Sequence, residues 1–320
     1  MLCVLAGMAW TLAAGTAAFP QAAKKEIQII KTEHLGALTD WKSDDQAFKG
    51  SPQGLAIHGR TAVLMRDGGQ VNLIDLKKKK VVSVYKADMG RAHCNNAGFG
   101  KEKVKGGLLP LLYVTECYGQ RRCFVLDVRK DSARVVQEIY YEDPAYKGPL
   151  DWCVDPEEGF IYAYGGPLAG RFLKKFRLPA LADSDADGKV TFTDEDVLET
   201  VTFQDVRVPQ GSMVRKGLAV IPQGCPPLER NLHFIDMATQ EKLLVMDLSD
   251  FDIEPEGIDR KGNWIYLSFF SKDKEASFKI AAMRPFISSQ YVSTSALASS
   301  PKDCNTSKFS CLYKFIISGP

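Results

Sequence analysis

Val71-Asn72-Leu73-Ile74-Asp75-Leu76, followed by Lys77 to Lys80 and then Val81-Val82-Ser83-Val84, decides the fold because it recurs. Cys123-Phe124-Val125-Leu126-Asp127-Val128 leads through a polar connection to Arg134-Val135-Val136. Leu232-His233-Phe234-Ile235-Asp236-Met237 leads through Ala238 to Glu241 into Lys242-Leu243-Leu244-Val245. Each copy reads as strand, aspartate, polar turn, strand, with β-branched and aromatic residues in the strands. The aspartate can accept hydrogen bonds from the turn backbone and fix the corner. Phe172 to Leu178 fills the same slot without the aspartate.

Each unit also has a front half. Gln53-Gly54-Leu55 precedes Thr61 to Met65, Asn95-Asn96-Ala97 precedes Leu111 to Val114, and Asp151-Trp152-Cys153 precedes Phe160 to Tyr164. Gln210-Gly211-Ser212 precedes Leu218 to Ile221, and Glu256-Gly257-Ile258 precedes Trp264 to Leu267. Units starting at 53, 95, 151, 210 and 256 advance by 42, 56, 59 and 46 residues. Four short strands per unit at that period is the pattern of a propeller blade. The expectation is an all-β fold: a single β-propeller over residues 24–284 with five to six four-stranded blades. A sixth blade can be assembled from Ile27 to Ile30 and the sequence after Ala276. Asp194 to Glu199 reads as a short connecting piece. The Ser-, Thr- and Ala-rich residues 285–320 read as a C-terminal extension.

Composition agrees with a folded globular chain: of 320 residues, 45% are hydrophobic and 25% charged. Forty-one Lys and Arg against 39 Asp and Glu leave a net charge of +2, which carries no global footprint for nucleic acid or an anionic membrane. The basic run Lys77 to Lys80 reads as a solvated hairpin tip. Residues 1–23 carry no charge, and Val4 to Ala14 is a short apolar run before Thr16-Ala17-Ala18, a small-residue cleavage site. We read this segment as a signal peptide, the alternative being an uncleaved anchor. A secreted or periplasmic protein follows, with no membrane span in the mature chain. Of the eight cysteines, Cys117 and Cys123 flank a turn and would face each other across a hairpin, so a disulfide is expected there. Cys304 and Cys311 could close a small tail loop.

These segments resemble secreted β-propellers of the YVTN and quinoprotein-like superfamily, over roughly Gln53 to Ala282. In such a ring the first residues of each unit face the channel mouth, which here brings together Gln53, Asn95, Asn96, Asp151, Gln210 and Glu256, with Glu254 two residues before Glu256 on the same side of the strand. Polar groups converging on one concavity describe a ligand site. A wet channel holding ordered water is the plain alternative. Asn96, Asp151 and Glu256 are oxygen ligands suited to a divalent ion and are similar to the site of gluconolactonase and regucalcin-like propellers. That resemblance implies a second divalent ion in the channel polarising a lactone carbonyl, with His93 as catalytic base or proton shuttle. Trp152 is a candidate stacking surface or a core residue. The Gln53-Gly54-Leu55 start is also similar to the first blade of glutaminyl cyclases. The Glu of that family is absent here, where Met65-Arg66-Asp67 stands.

Asp183-Ser184-Asp185-Ala186-Asp187-Gly188-Lys189 through Asp194 carries carboxylates at positions 1, 3, 5 and 12 and glycine at 6. This spacing resembles an EF-hand or dockerin-type calcium loop, with Asp183, Asp185, Asp187, the Lys189 carbonyl and Asp194 as ligands. A structural calcium clamp is expected. The functional expectation is a propeller that binds a small molecule, a carbohydrate or a partner protein at its channel mouth, the alternative being a divalent-metal lactonase or esterase. Nucleophile-elbow, P-loop and dinucleotide motifs are absent from the sequence.

Overall fold

The strand order follows the repeat. After β1 (Lys24–Ala37) come β2 (Pro52–His58), β3 (Thr61–Arg66), β4 (Gln70–Asp75) and β5 (Lys80–Lys86), which pair in that order as an antiparallel sheet. The second sheet has β6 (Ala97–Phe99), β7 (Leu112–Thr115), β8 (Cys123–Val128) and β9 (Ala133–Tyr141). The third has β10 (Asp151–Asp155), β11 (Phe160–Gly165) and β12 (Arg171–Arg177), then an excursion through β13 (Lys189–Phe192) before its last strand β14 (Glu199–Phe203). The fourth has β15 (Met213–Arg215), β16 (Leu218–Gln223), β17 (Asn231–Asp236) and β18 (Lys242–Asp247). The fifth begins with β19 (Glu254–Lys261) and β20 (Trp264–Phe270), continues with β21 (Lys279–Gln290), and is completed by β1. The computed structural model describes residues 24–143, 145–251, 254–270 and 279–290. The leader at 1–23 and the tail cysteines Cys304 and Cys311 lie outside them.

The arrangement is that of a β-propeller. Ile27 to Ile30 and the residues after Ala276 do not open another sheet. They add the two outer strands to β19 and β20, so β1 and β21, the first and last strands among the described residues, lie side by side. β21 runs on past 284 to Gln290. The calcium-like segment also has a different place than a simple crossover. β13 leaves the third sheet and pairs in parallel with β9 of the second, Lys189 opposite Glu138 and Phe192 opposite Tyr141.

Burial falls from the centre outward. The innermost strands β2 and β10 are buried almost throughout, whereas the outer strands β5 and β18 alternate with solvent. The core is divided among adjacent sheets. Ala56, Val63 and Val71 of the first sheet pack with Phe99, Val114 and Phe124 of the second. Tyr113, Val125 and Ile139 pack with Trp152, Ile161 and Phe176 of the third. Tyr162 and Leu173 meet Val214, Ala219 and Ile235. Val220 and Phe234 meet Ile258, Ile265 and Phe269. Leu55, Leu64 and Val81 form a cluster with Trp41, and Tyr266 of the fifth sheet packs on it. Every sheet therefore buries both faces against neighbours, which is why the inner strands read as near-continuous apolar runs.

At the centre, strands approach too closely for side chains. A Cβ on Gly54 would lie 2.4 Å from the carbonyl carbon of Asn96, and one on Gly257 would lie 2.3 Å from the Leu55 nitrogen. Glycine after the polar residue of the inner strand is a requirement of this packing. The corner aspartates behave unequally. Asp75 accepts from the Lys77 and Lys78 N–H groups at 3.0 Å each, and Asp236 from Ala238 at 3.1 Å. Asp127 instead takes the Arg129 guanidinium, at 2.7 Å.

The expected Cys117–Cys123 disulfide is corrected by register. Thr115, not Cys117, stands opposite Cys123, whose thiol points into the core between the second and third sheets. Both cysteines are free thiols, as are Cys94 and Cys153. Among the described residues no helix is long and apolar enough to cross a membrane.

Candidate functional site

The inner strands deliver the expected polar residues to the centre. Gln53, Asn95, Asn96, Asp151, Gln210 and Glu256 are all buried, and Glu254 is half-buried. Several are joined across sheets. Asn95 Nδ2 donates to Asp151 Oδ2 at 2.9 Å, and Gln210 Nε2 donates to Glu254 Oε1 at 2.6 Å. Asn96, just before β6, has Nδ2 donating to the carbonyls of Trp152 on β10 at 2.9 Å and of Ser212, just before β15, at 2.7 Å.

Those two bonds fix the Asn96 amide, because its donors can be satisfied only one way round. Its Oδ1 is left buried without a hydrogen-bond partner, and so is Gln53 Oε1. Asn96 Oδ1 faces Gly211, whose added Cβ would come within 3.1 Å of it and within 3.3 Å of the Glu256 carbonyl. Unpartnered buried acceptors are uncommon and costly, and here two stand on or next to inner strands. Burial, with the like charges of Glu254 and Asp67, pushes the Glu256 carboxyl well above the usual carboxylate range. Burial also raises Asp151 to about 6, against the lowering effect of its hydrogen bonds to Thr115, Asn95 and the Trp152 N–H.

At the rim, a cavity of about 180 Å³ is lined by Asn95, Asp151, Cys117, Tyr118, Tyr164 and the guanidinium-bearing Arg207. Tyr164 is buried, and its hydroxyl has no partner. His93 stands near this rim, its ring centre 5.4 Å from that of Tyr118. His93 Nδ1 lies 2.9 Å from Asp67 Oδ1, and that carboxylate raises the imidazole pKa, against the opposing effect of burial. Asp67 and Tyr164 escaped the sequence reading. Asp67 occupies the Met65-Arg66-Asp67 stretch noted there only as a departure from another family. Tyr164 belongs to β11 and reaches the rim because Asp151 is its register partner.

The channel is plugged at its other end. Arg215, at the end of β15, has guanidinium nitrogens 3.7 Å from Asp155 Oδ1 and 3.7 Å from Asp259 Oδ1. Its Nη1 also donates to the Val154 carbonyl at 2.8 Å. Asp259 Oδ2 accepts the Ile57 N–H at 2.6 Å, tying the fifth sheet to the first.

Trp152 has a different place than a stacking surface. Strand alternation turns Asp151 to the mouth and sends Trp152 into the layer between the second and third sheets, 2% exposed. Its indole N–H donates to the Arg121 carbonyl at 3.0 Å, and only its backbone serves the site, the carbonyl accepting from Asn96 and the N–H donating to Asp151.

The calcium-like loop is satisfied by other partners. Asp185 Oδ1 accepts the N–H groups of Asp187 and Lys189 at 2.9 Å, and Asp183 Oδ2 accepts that of Ala180 at 2.8 Å. Asp194 Oδ1 lies 2.9 Å from Lys174 Nζ and bonds the Tyr141 hydroxyl. Among the described residues, no group of three or more His, Cys, Asp or Glu side chains is placed to hold a metal ion.

Fold and site together define a β-propeller that gathers buried polar side chains at its centre, with a small cavity at the rim. No family model and no curated protein matches the chain. Among solved structures it is similar to glutaminyl cyclase of Myxococcus xanthus, with 13% identity and a TM-score of 0.51, over 84% of this chain and 100% of that one. It is also similar to the tail fiber of Staphylococcus aureus phage P68, with 12% identity and a TM-score of 0.53, over 80% of this chain and 53% of that one. At these identities the likeness shows the fold alone.

Proposed function

We propose that the protein is an exported, five-bladed β-propeller that binds a small polar ligand, such as a carbohydrate or a short segment of a partner, at its channel mouth. Five apolar clusters between successive sheets support the blade count. One observation carries the ligand reading: Asn96 Oδ1 is aimed, with its amide locked, and has nothing to accept from. Such an oxygen asks for a donor, and hydroxyl and ammonium groups both supply one. Glu256 and Gln53, also buried on inner strands, offer further polar positions.

Differential scanning fluorimetry against sugars, amino alcohols and short peptides tests this reading, run in parallel on Gln53→Leu. Stabilisation by one class that disappears in Gln53→Leu is expected. No stabilisation by any class, or stabilisation indifferent to Gln53→Leu, overturns it.

The lactonase-type reading has weaker support. It needs oxygens from Asn96, Asp151 and Glu256 on one ion, yet both Asp151 oxygens already accept, from Asn95 Nδ2 and the Trp152 N–H. Unchanged lactone or ester hydrolysis in Glu256→Gln would exclude it.

A further inference from the structure

A second concavity, of about 780 Å³, lies at the turn ends of the first two sheets, away from the channel mouth. Half-buried Leu109 of the β6–β7 connection lines it, backed by the core residues Leu73 and Ile74 of β4 and Val128 of β8. Two further apolar side chains stand at the lip: Val82, 39% exposed, and Leu108, 82% exposed. An apolar side chain as bare as Leu108 is ordinary when alone. Here it shares one groove with Val82 and Leu109, so three accessible apolar side chains line the same concavity.

The rim is cationic. Arg60, Lys78, Lys80, Arg129 and Lys130 line the same groove, against the single carboxylate of Asp75. Asp75 is occupied, accepting two turn N–H groups and standing 3.7 Å from Arg60. Arg129 is held by Asp127. Lys78, Lys80 and Lys130 have no ion pair among the described residues. The groove is rigidly built, since Tyr85 Oη donates to the Arg129 carbonyl at 2.8 Å and Ser83 Oγ bonds the Lys130 carbonyl across its base. Lysines at a sheet edge can serve only to discourage strand pairing. That role needs neither the apolar lining nor Arg60 and Lys130 in the same groove.

We infer that this groove docks an acidic segment of a partner protein, its carboxylates on the Lys78, Lys80 and Lys130 ammonium groups and an apolar side chain against Val82, Leu108 and Leu109. Charge complementarity selects the occupant: a largely neutral molecule has concentrated unpaired cations around one apolar patch.

The test uses the full chain and a fluorescein-labelled octapeptide alternating Glu and Leu, with a Lys and Leu peptide as control, followed by fluorescence anisotropy. The acidic peptide should bind in 50 mM salt and weaken at 300 mM, as screening requires. The double variant Lys78→Glu, Lys80→Glu should weaken it by about tenfold or more. Leu108→Ser should weaken it without changing the salt dependence. Channel-mouth ligands should be unaffected by either variant, which separates this proposal from the mouth reading. The proposal is overturned if the acidic peptide does not bind, if both peptides bind alike, or if the charge reversal leaves binding unchanged. It is equally overturned if phosphatidylserine vesicles or a DNA duplex bind more tightly than the peptide and lose that binding in the charge reversal, because the occupant is then not a peptide.

Discussion

Replacing Arg215 by Met tests whether the channel plug holds the ring together. The guanidinium sits 3.7 Å from each of two nearly inaccessible carboxylates, and its own side chain is 10% exposed. Methionine keeps the bulk and the packing but leaves both charges uncompensated. Breaking a buried pair in this way costs about 3–5 kcal/mol. Part of that cost has a ceiling. Burial already raises Asp259 to about 6 in the native protein, against the lowering influence of Arg215. Once Arg215 is gone, Asp259 can escape by taking up a proton, so its share at pH 7 cannot exceed about 1.4 kcal/mol, one pH unit of linkage. The sign follows from the direction of the shift. A carboxyl whose folded pKa lies above its unfolded value stabilises the fold when protonated, and that contribution is lost as pH rises through about 6. At pH 5 most Asp259 is protonated in either protein, so the substitution should be milder there by about 1 kcal/mol. Urea unfolding at both pH values, with the m-value checked for constancy, measures the difference. A loss below about 1 kcal/mol at pH 7, or equal losses at the two pH values, would refute the reasoning.

Other consequences can be checked directly. In Asp67→Asn the His93 imidazole should titrate at lower pH than in the native protein, seen in its ring-proton NMR shifts, because the carboxylate is the leading cause of the raised pKa. The stabilisation from this pair belongs to the protonated ring, is complete below about 6.5, and fades as pH rises through the raised folded value. Gly54→Ala should destabilise by about 1–3 kcal/mol or more, because its Cβ would strike the Asn96 backbone, and a thermal shift of less than a degree would contradict the close approach. Calorimetric titration with calcium tests the 183–194 loop directly: its spacing predicts submillimolar binding that Asp185→Ala abolishes, and no heat from the native protein would remove the calcium reading. Unreduced, urea-unfolded protein should alkylate at both Cys117 and Cys123, and a retained bridge between them would overturn the assigned register.

The strand–aspartate–turn repeat was legible because both of its signals are local. Strand alternation and turn chemistry act over a few residues, so β2 to β5, β7 to β9 and β15 to β18 fall close to where the pattern puts them. The site was partly legible for a related reason. A repeat assigns equivalent positions, so Gln53, Asp151, Gln210 and Glu256 could be expected at one level without knowing how far apart the strands lie. Trp152 could not be placed that way until the pleat was known, since one residue's shift along β10 exchanges the mouth for the core. The Cys117–Cys123 pairing failed on the same kind of detail, as the hairpin register sets Thr115 opposite Cys123. The aspartates of the 183–194 loop have calcium-like spacing, but spacing does not report Lys174 and Tyr141, which come from other strands.

What the amino-acid sequence determined by itself was the period, the strand content and the polar identity of the inner positions, all carried by neighbouring residues. Only the tertiary structure decided how the ring closes, with β1 and β21 joining β19 and β20 instead of opening another sheet. It alone decided that Asn96 keeps an oxygen free, that Asp67 stands beside His93, and that Arg215 seals one end between Asp155 and Asp259. Each depends on atoms from strands that are distant in the chain, and their meeting is fixed by packing between sheets, which no local pattern encodes.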